Sequence, residues 1–191
     1  MDFSNRLKGT ITQTLIKALF EDAQYRVIPL GVEETIREVV VLPEHEYIQL
    51  NIPSTLRKMP DFYVSDKEMK KCWLIEVKYR KEWNEKTILS LFQKLSEQVQ
   101  IWSPIYLMLF LDKPARGNGN QPSELMGILK LSYSDGKMLI NDKDLEWEKL
   151  SWSHFSRVQN IFTNISERWE ENTLTKVTKI LSSLSGLDIY E

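Results

Sequence analysis

An unbroken apolar run, Ile105–Leu111, directly follows Pro104 and limits the possible folds of this chain more than any other segment. A strand with one solvent face alternates apolar and polar residues, whereas an unbroken run is typical of a strand buried on both faces. The run is far shorter than the ~20 residues that a membrane-spanning helix needs. The sequence therefore predicts an α/β core with a mixed sheet, and no membrane contact is expected.

Hydrophobic periodicity places helices before and after this strand. Apolar residues recur every four positions in Thr10–Ala23, which predicts the first helix. Lys86–Trp102 is also periodic, and its predicted apolar stripe is Leu89, Phe92, Leu95, Val99 and Trp102. Near the end of the chain, Ser153–Glu171 and Thr173–Leu184 are predicted to form two further helices.

The other strands are predicted from short apolar or alternating stretches. Cys72–Tyr79 alternates strictly, and Ser134-Asp135-Gly136 separates the two strands of a hairpin. The remaining candidates are Tyr25–Leu30, Val39–Leu42, Asp61–Val64, Gly127–Tyr133 and Lys137–Ile140. We expect residues 1–126 to form the core, and residues 127–191 to add a hairpin and helices packed on the same domain.

Charge and cysteine content exclude several classes of protein. The formal net charge of the 191 residues is -2, which excludes a uniformly basic nucleic-acid-binding coat but leaves room for a local basic patch. The single cysteine, Cys72, excludes an internal disulfide and a metal site built from several thiolates. A reducing, cytoplasmic location is therefore expected.

Three charged residues meet on the predicted hairpin that contains the alternating strand. Glu76 and Lys78 are two positions apart, so they share the face opposite the apolar one and should face a cleft or solvent. A turn centred between Glu68 and Met69 places Asp61 directly opposite Glu76, with Cβ atoms ~5 Å apart. Two carboxylates and an amine in this arrangement suit a divalent cation such as Mg²⁺ beside a phosphate group.

The pattern Pro60-Asp61 followed by Glu76-Val77-Lys78 resembles the PD-(D/E)xK nuclease superfamily, which includes restriction endonucleases and archaeal Holliday-junction resolvases. The resemblance implies a restriction-endonuclease-like mixed-sheet core flanked by helices. It also implies that Asp61, Glu76 and the carbonyl of Val77 bind Mg²⁺, with Mn²⁺ as an alternative ion. Lys78 would then assist the hydrolytic water in a nuclease that cleaves DNA.

Auxiliary positions of the superfamily match this chain less closely. Many members carry a glutamate four residues after a glycine on the first helix, where this chain has Gln13 after Gly9. Glutamates elsewhere that remain as substitutes are Glu21, Glu33 and Glu34. Some members carry a glutamine four residues before a tyrosine on the later helix; Gln98 has that spacing before Trp102, and Gln93 is the alternative.

Basic residues near the three charged positions are candidates for DNA contact. Arg57 and Lys58 precede Pro60, while Arg80 and Lys81 follow the strand. Because cutting both strands of a duplex commonly needs two active sites, a homodimer is expected, with a partner protein as the alternative. The other hypothesis is a catalytically silent nuclease-like module that binds DNA or protein without cleavage; the acidic net charge and Gln13 favour it.

Overall fold

The computed structural model describes residues 3–31, 42, 46, 49–165 and 172–183. The long helices are α1 (Phe3–Asp22), α3 (Glu85–Trp102) and α6 (Thr173–Ser183), and the short ones are α2 (Ser54–Arg57), α4 (Pro122–Leu125) and α5 (Val158–Ile161). The strands are β1 (Arg26–Pro29), β2 (Phe62–Ser65), β3 (Cys72–Arg80), β4 (Ile105–Leu111), β5 (Met126–Ser134) and β6 (Lys137–Ile140). None of the described helices is both long and apolar enough to span a membrane.

All six strands form one mixed sheet in the order β1-β2-β3-β4-β5-β6. The central pair, β3 and β4, is parallel, and the other neighbours are antiparallel. The parallel pair needs a crossover, which α3 provides. Residues 126 and 127, where the predicted core ends and the predicted addition begins, both lie in β5. Because β5 pairs with β4, the sheet continues without interruption across this point.

Two hydrophobic cores confirm that β4 is buried on both faces. Met108 and Phe110 lie in the core that contains side chains of α1 and α6, while Leu107 and Leu109 lie in the core that contains those of α3. The α/β class with helices flanking a mixed sheet follows from this arrangement.

The apolar stripe of α3 differs from the predicted one. Its buried side chains are Ile88, Leu91, Leu95, Gln98 and Val99. Leu89 and Phe92 are 44% and 38% exposed, respectively. The helix is rotated from the predicted face because polar Gln98 takes an interior position, while the ring of Phe92 lies at the edge against Trp147.

Three other predicted elements need correction or lie outside the described residues. Helix α1 begins before Thr10, and the Thr12 hydroxyl donates to the carbonyl oxygen of Lys8. The helix predicted at Ser153–Glu171 is wrong up to residue 165. There the chain forms a single turn at Val158–Ile161, and Ser156 forms an isolated β-bridge with Ile128. Most of the strand predicted at Val39–Leu42, and residues 166–171, lie outside the described residues.

Candidate functional site

Asp61, directly before β2, is linked by its side chain to α1 and to β3. Its Oδ1 accepts a hydrogen bond from Nε2 of Gln13 on α1 at 2.8 Å, and its Oδ2 accepts one from the backbone N–H of Val77 at 2.7 Å. The register pairs Phe62 with Ile75, so Asp61 lies opposite Glu76, as the sequence predicts. Because β2 begins at Phe62, the Asp61 carboxylate takes the Val77 N–H that a longer β2 would have bound.

Glu76 carries a buried carboxylate. Only 4% of the residue is exposed, so it does not face open solvent as the sequence suggested. Its Oε1 forms an ion pair with Nζ of Lys78, and its Oε2 accepts a hydrogen bond from Nε2 of Gln98 at 2.8 Å. A buried carboxylate stays charged only when such donors replace the lost water.

Lys78 remains a cation beside the two carboxylates. Burial lowers the pKa of its amine, but the negative charges of Glu76 and Asp61 and the hydrogen bond to Glu76 outweigh burial and raise that pKa above its ordinary value. At neutral pH the side chain is therefore protonated, and it can donate hydrogen bonds to an anionic group.

The structure brings two of the predicted glutamines to the site and leaves the third elsewhere. Gln13 binds Asp61, and Gln98 binds Glu76 and also lies 3.4 Å from the carbonyl oxygen of Met59. Gln93 is exposed on another face of α3, beside Glu85, Lys86, Leu89 and Ser90. Of the alternative glutamates, Glu21 pairs with Lys17 on α1, whereas Glu33 and Glu34 lie outside the described residues.

Two of the predicted DNA-contacting residues have partners within the protein. The guanidinium group of Arg57 donates to the carbonyl oxygens of Leu50 and Ile52, and Lys58 pairs with Glu97 on α3. These contacts fasten the segment that leads to Asp61. Lys81 is exposed at the end of β3.

Arg80 and Lys94 extend the site on its basic side. Arg80 is half-buried, and burial lowers its pKa despite the opposing charge of Glu76. Lys94, which the sequence interpretation missed, lies one helical turn before Gln98 on α3. Its pKa is lowered by partial burial and then by the positive charges of Arg80 and Lys78. The Lys94–Gln98 spacing of four residues was the available sequence signal.

The donor set can be compared with the needs of a divalent cation. No cluster of three or more His, Cys, Asp or Glu that could hold a metal occurs among the described residues. Mg²⁺ prefers oxygen ligands and usually takes one or two carboxylates with several waters, so Asp61 and Glu76 are chemically suitable. All four oxygens of these carboxylates already accept a hydrogen bond or ion pair from a donor of the protein.

Comparison of the chain with models of protein families, with curated proteins and with solved structures gave no match in any of the three searches. The residues of the site are therefore the basis for assigning a function.

Proposed function

We propose that the protein is a Mg²⁺-dependent endonuclease that hydrolyses phosphodiester bonds in DNA. The observation that supports this most directly is the meeting of Asp61, Glu76 and Lys78, which β2 and β3 bring to one place. The hydrogen bonds from Gln13 and Gln98 to the two carboxylates add support, because they link the site to helices on both faces of the sheet.

Each side chain has a role that follows from its contacts. Asp61 and Glu76 would hold Mg²⁺ or Mn²⁺ with the carbonyl oxygen of Val77, and the ion would polarise the phosphoryl group and lower the pKa of a bound water. Lys78 donates hydrogen bonds to the attacking water or to the phosphate oxygens. Gln13 and Gln98 are positioning residues, since they contact the carboxylates and hold them in orientation.

The order of elements also supports a PD-(D/E)xK-type core. Helix α1 is followed by β1, the β2–β3 hairpin, α3 and the parallel strand β4. In our proposal, this restriction-endonuclease-like unit acts in the cytoplasm as a homodimer or with a partner protein. Light scattering coupled to size-exclusion chromatography tests the homodimer, which a single peak at the monomer mass of 22.5 kDa would contradict.

The decisive experiment is cleavage of supercoiled plasmid in Mg²⁺, in Mn²⁺ and in EDTA. Wild-type protein should nick the plasmid only with a metal, and Glu76→Gln and Lys78→Met should abolish nicking. Lys86→Met is the matched control, because Lys86 is exposed on α3. Circular dichroism verifies that each variant is folded. Undiminished nicking by both site variants, or none by wild type in either metal, would refute the proposal.

One observation favours a catalytically silent binding module instead. The four carboxylate oxygens are satisfied by donors of the protein itself, so the cluster is also a stable structural network. A silent module would bind DNA or protein without metal and without cleavage. An EDTA-resistant complex in a gel shift, combined with an intact plasmid in Mg²⁺ and Mn²⁺, would favour this function over the nuclease.

A further inference from the structure

Two cationic side chains follow Glu76 on the same face of β3 and form a row with it. Lys78 and Arg80 follow Glu76 at two-residue steps, so all three share one face. A rise of ~3.3 Å per residue separates successive members of the row by roughly 7 Å. Arg80 is thus near the carboxyl end of β3, on the same side as the carboxylate site.

Helix α3 places a further cation beside this row. As the crossover between parallel strands, α3 runs antiparallel to β3, and the contact of Gln98 with Glu76 fixes how they align. Lys94 is four residues earlier on α3, about 6 Å along the helix axis, and so lies towards Lys78 and Arg80. The pKa of Lys94, which burial and the charges of these two residues lower, agrees with this placement.

The added positive charge is not balanced within the described part of the chain. Lys78 pairs with Glu76, but neither Arg80 nor Lys94 forms an ion pair with a described residue. The Nη1 group of Arg80 donates to the carbonyl oxygen of Tyr79 at 2.7 Å, which leaves other guanidinium N–H groups for a ligand. Two cations that lack an ion-pair contact, beside a third, are suited to an anion with several oxygens.

We propose that Arg80 and Lys94 form a phosphate subsite. It binds the phosphodiester next to the one that would be cleaved at the site of Glu76 and Lys78. A nucleic-acid strand would then run along β3 from Glu76 towards Arg80. The inference deepens the proposed nuclease function and depends on it for the identity of the ligand. It assigns Lys94 and Arg80 to substrate binding and leaves cleavage to the carboxylate site.

The test measures binding without metal, so that cleavage plays no part. A fluorescein-labelled single-stranded oligonucleotide is titrated in EDTA, by anisotropy, with wild type, Arg80→Gln, Lys94→Gln and the control Lys86→Gln. We expect each subsite variant to weaken binding by about three- to tenfold and to reduce the slope of log K against log salt by about 0.7. Lys86→Gln should bind like wild type, and inorganic phosphate should compete with the oligonucleotide.

The possible results separate the subsite from the nuclease. Binding that depends on Arg80 and Lys94 in a protein that never nicks plasmid would uphold the subsite and reject the nuclease. Nicking by wild type, with Arg80→Gln and Lys94→Gln binding as tightly as Lys86→Gln, would reject the subsite alone. A wild-type protein that fails to bind the oligonucleotide at low salt would also overturn the subsite. Circular dichroism of both variants verifies their fold.

Discussion

At the scale of single residues, Gln98 shows how a polar side chain can occupy the interior side of a helix. It is 5% exposed and stands among Leu95 and Val99 on the buried stripe of α3. Its amide donates to the buried Glu76 carboxylate, and this contact replaces a water that the carboxylate lost on folding. The interior position of Gln98 is thus a consequence of the charge at Glu76.

Replacing Gln98 by leucine should therefore destabilise the protein even though leucine suits a buried helix position. Gln98→Leu leaves Oε2 of Glu76 without this donor, and we expect a loss of about 1–3 kcal/mol in the free energy of unfolding. Urea denaturation followed by tryptophan fluorescence measures the loss. Gln93→Leu, on the exposed side of the same helix, should change stability by no more than about 0.5 kcal/mol. Equal stability of the two variants would argue against the buried hydrogen bond.

The ion pair between Lys78 and Glu76 should give stability a specific pH dependence. Because the folded-state pKa of Lys78 is raised, the contribution of the pair is complete below the ordinary lysine pKa of ~10.4 and is lost as pH rises through the folded value. Lys78→Met should cost about 2–4 kcal/mol at pH 7, and the difference from wild type should shrink at pH 11.

Urea denaturation at pH 7, 9, 10 and 11 tests this dependence. Lys86→Met serves as the control, since Lys86 forms no ion pair with any described residue, and it should match wild type throughout. A cost for Lys78→Met that is the same at every pH would show that the lost contact is packing rather than charge.

At the scale of elements, α3 links the two halves of the candidate site. Its C-terminal half holds the segment before Asp61, through Trp102 Nε1 to the carbonyl oxygen of Thr55 at 3.2 Å and through Glu97 to Lys58. Its N-terminus begins at a cap, where Oδ1 of Asn84 accepts the N–H of Thr87 at 2.9 Å. The helix therefore fixes both Gln98 and the approach of the chain to β2.

Removal of the cap should weaken α3 at its start. Asn84→Ala leaves the Thr87 N–H without its side-chain acceptor, and we expect a cost of about 1 kcal/mol in unfolding free energy. Asn84→Asp retains an acceptor oxygen and should stay close to wild type. Thermal and urea denaturation compare the three proteins, and an alanine variant as stable as the aspartate variant would count against the cap.

At the scale of the whole molecule, the segment after β6 returns to the sheet and completes both cores. Ser156 and Ile128 exchange two backbone hydrogen bonds, with N···O distances of 3.0 and 2.8 Å. Trp147 adds an indole hydrogen bond to the carbonyl oxygen of Ile88, and Phe162 is fully buried in the core beside α1. The C-terminal third thus packs on elements from the first two thirds.

Gly127 on β5 lies against the segment that follows β6, so a larger residue at this position should destabilise the protein. A Cβ atom there would lie 2.8 Å from Cβ of Phe155, so Gly127→Ala should cost about 1–3 kcal/mol. The contrasting substitution is Gly9→Ala on α1, where a Cβ meets nothing within 4 Å and alanine should add up to about 1 kcal/mol. Denaturation of both variants in urea tests the pair; a neutral Gly127→Ala would contradict the close approach of Phe155.

Elements with strong local signals can be predicted from the sequence alone. The alternation in Cys72–Tyr79, the apolar run Ile105–Leu111 and the hairpin turn at Asp135-Gly136 each predict the strand or turn that is observed. The turn before Cys72 also determined the register that places Asp61 opposite Glu76. These features depend on neighbouring residues and on the two-residue period of strands, so they can be derived without knowing the fold.

The buried face of α3 and the side chains that meet Glu76 depend instead on how the elements pack. Periodicity favours the most apolar stripe, but a buried carboxylate needs a donor, and Gln98 is the helix residue that reaches it. The same applies to Lys94 and to the β-bridge at Ser156, which depend on partners far along the chain. Contacts between residues distant in sequence leave no local pattern, because their energy appears only when the elements pack.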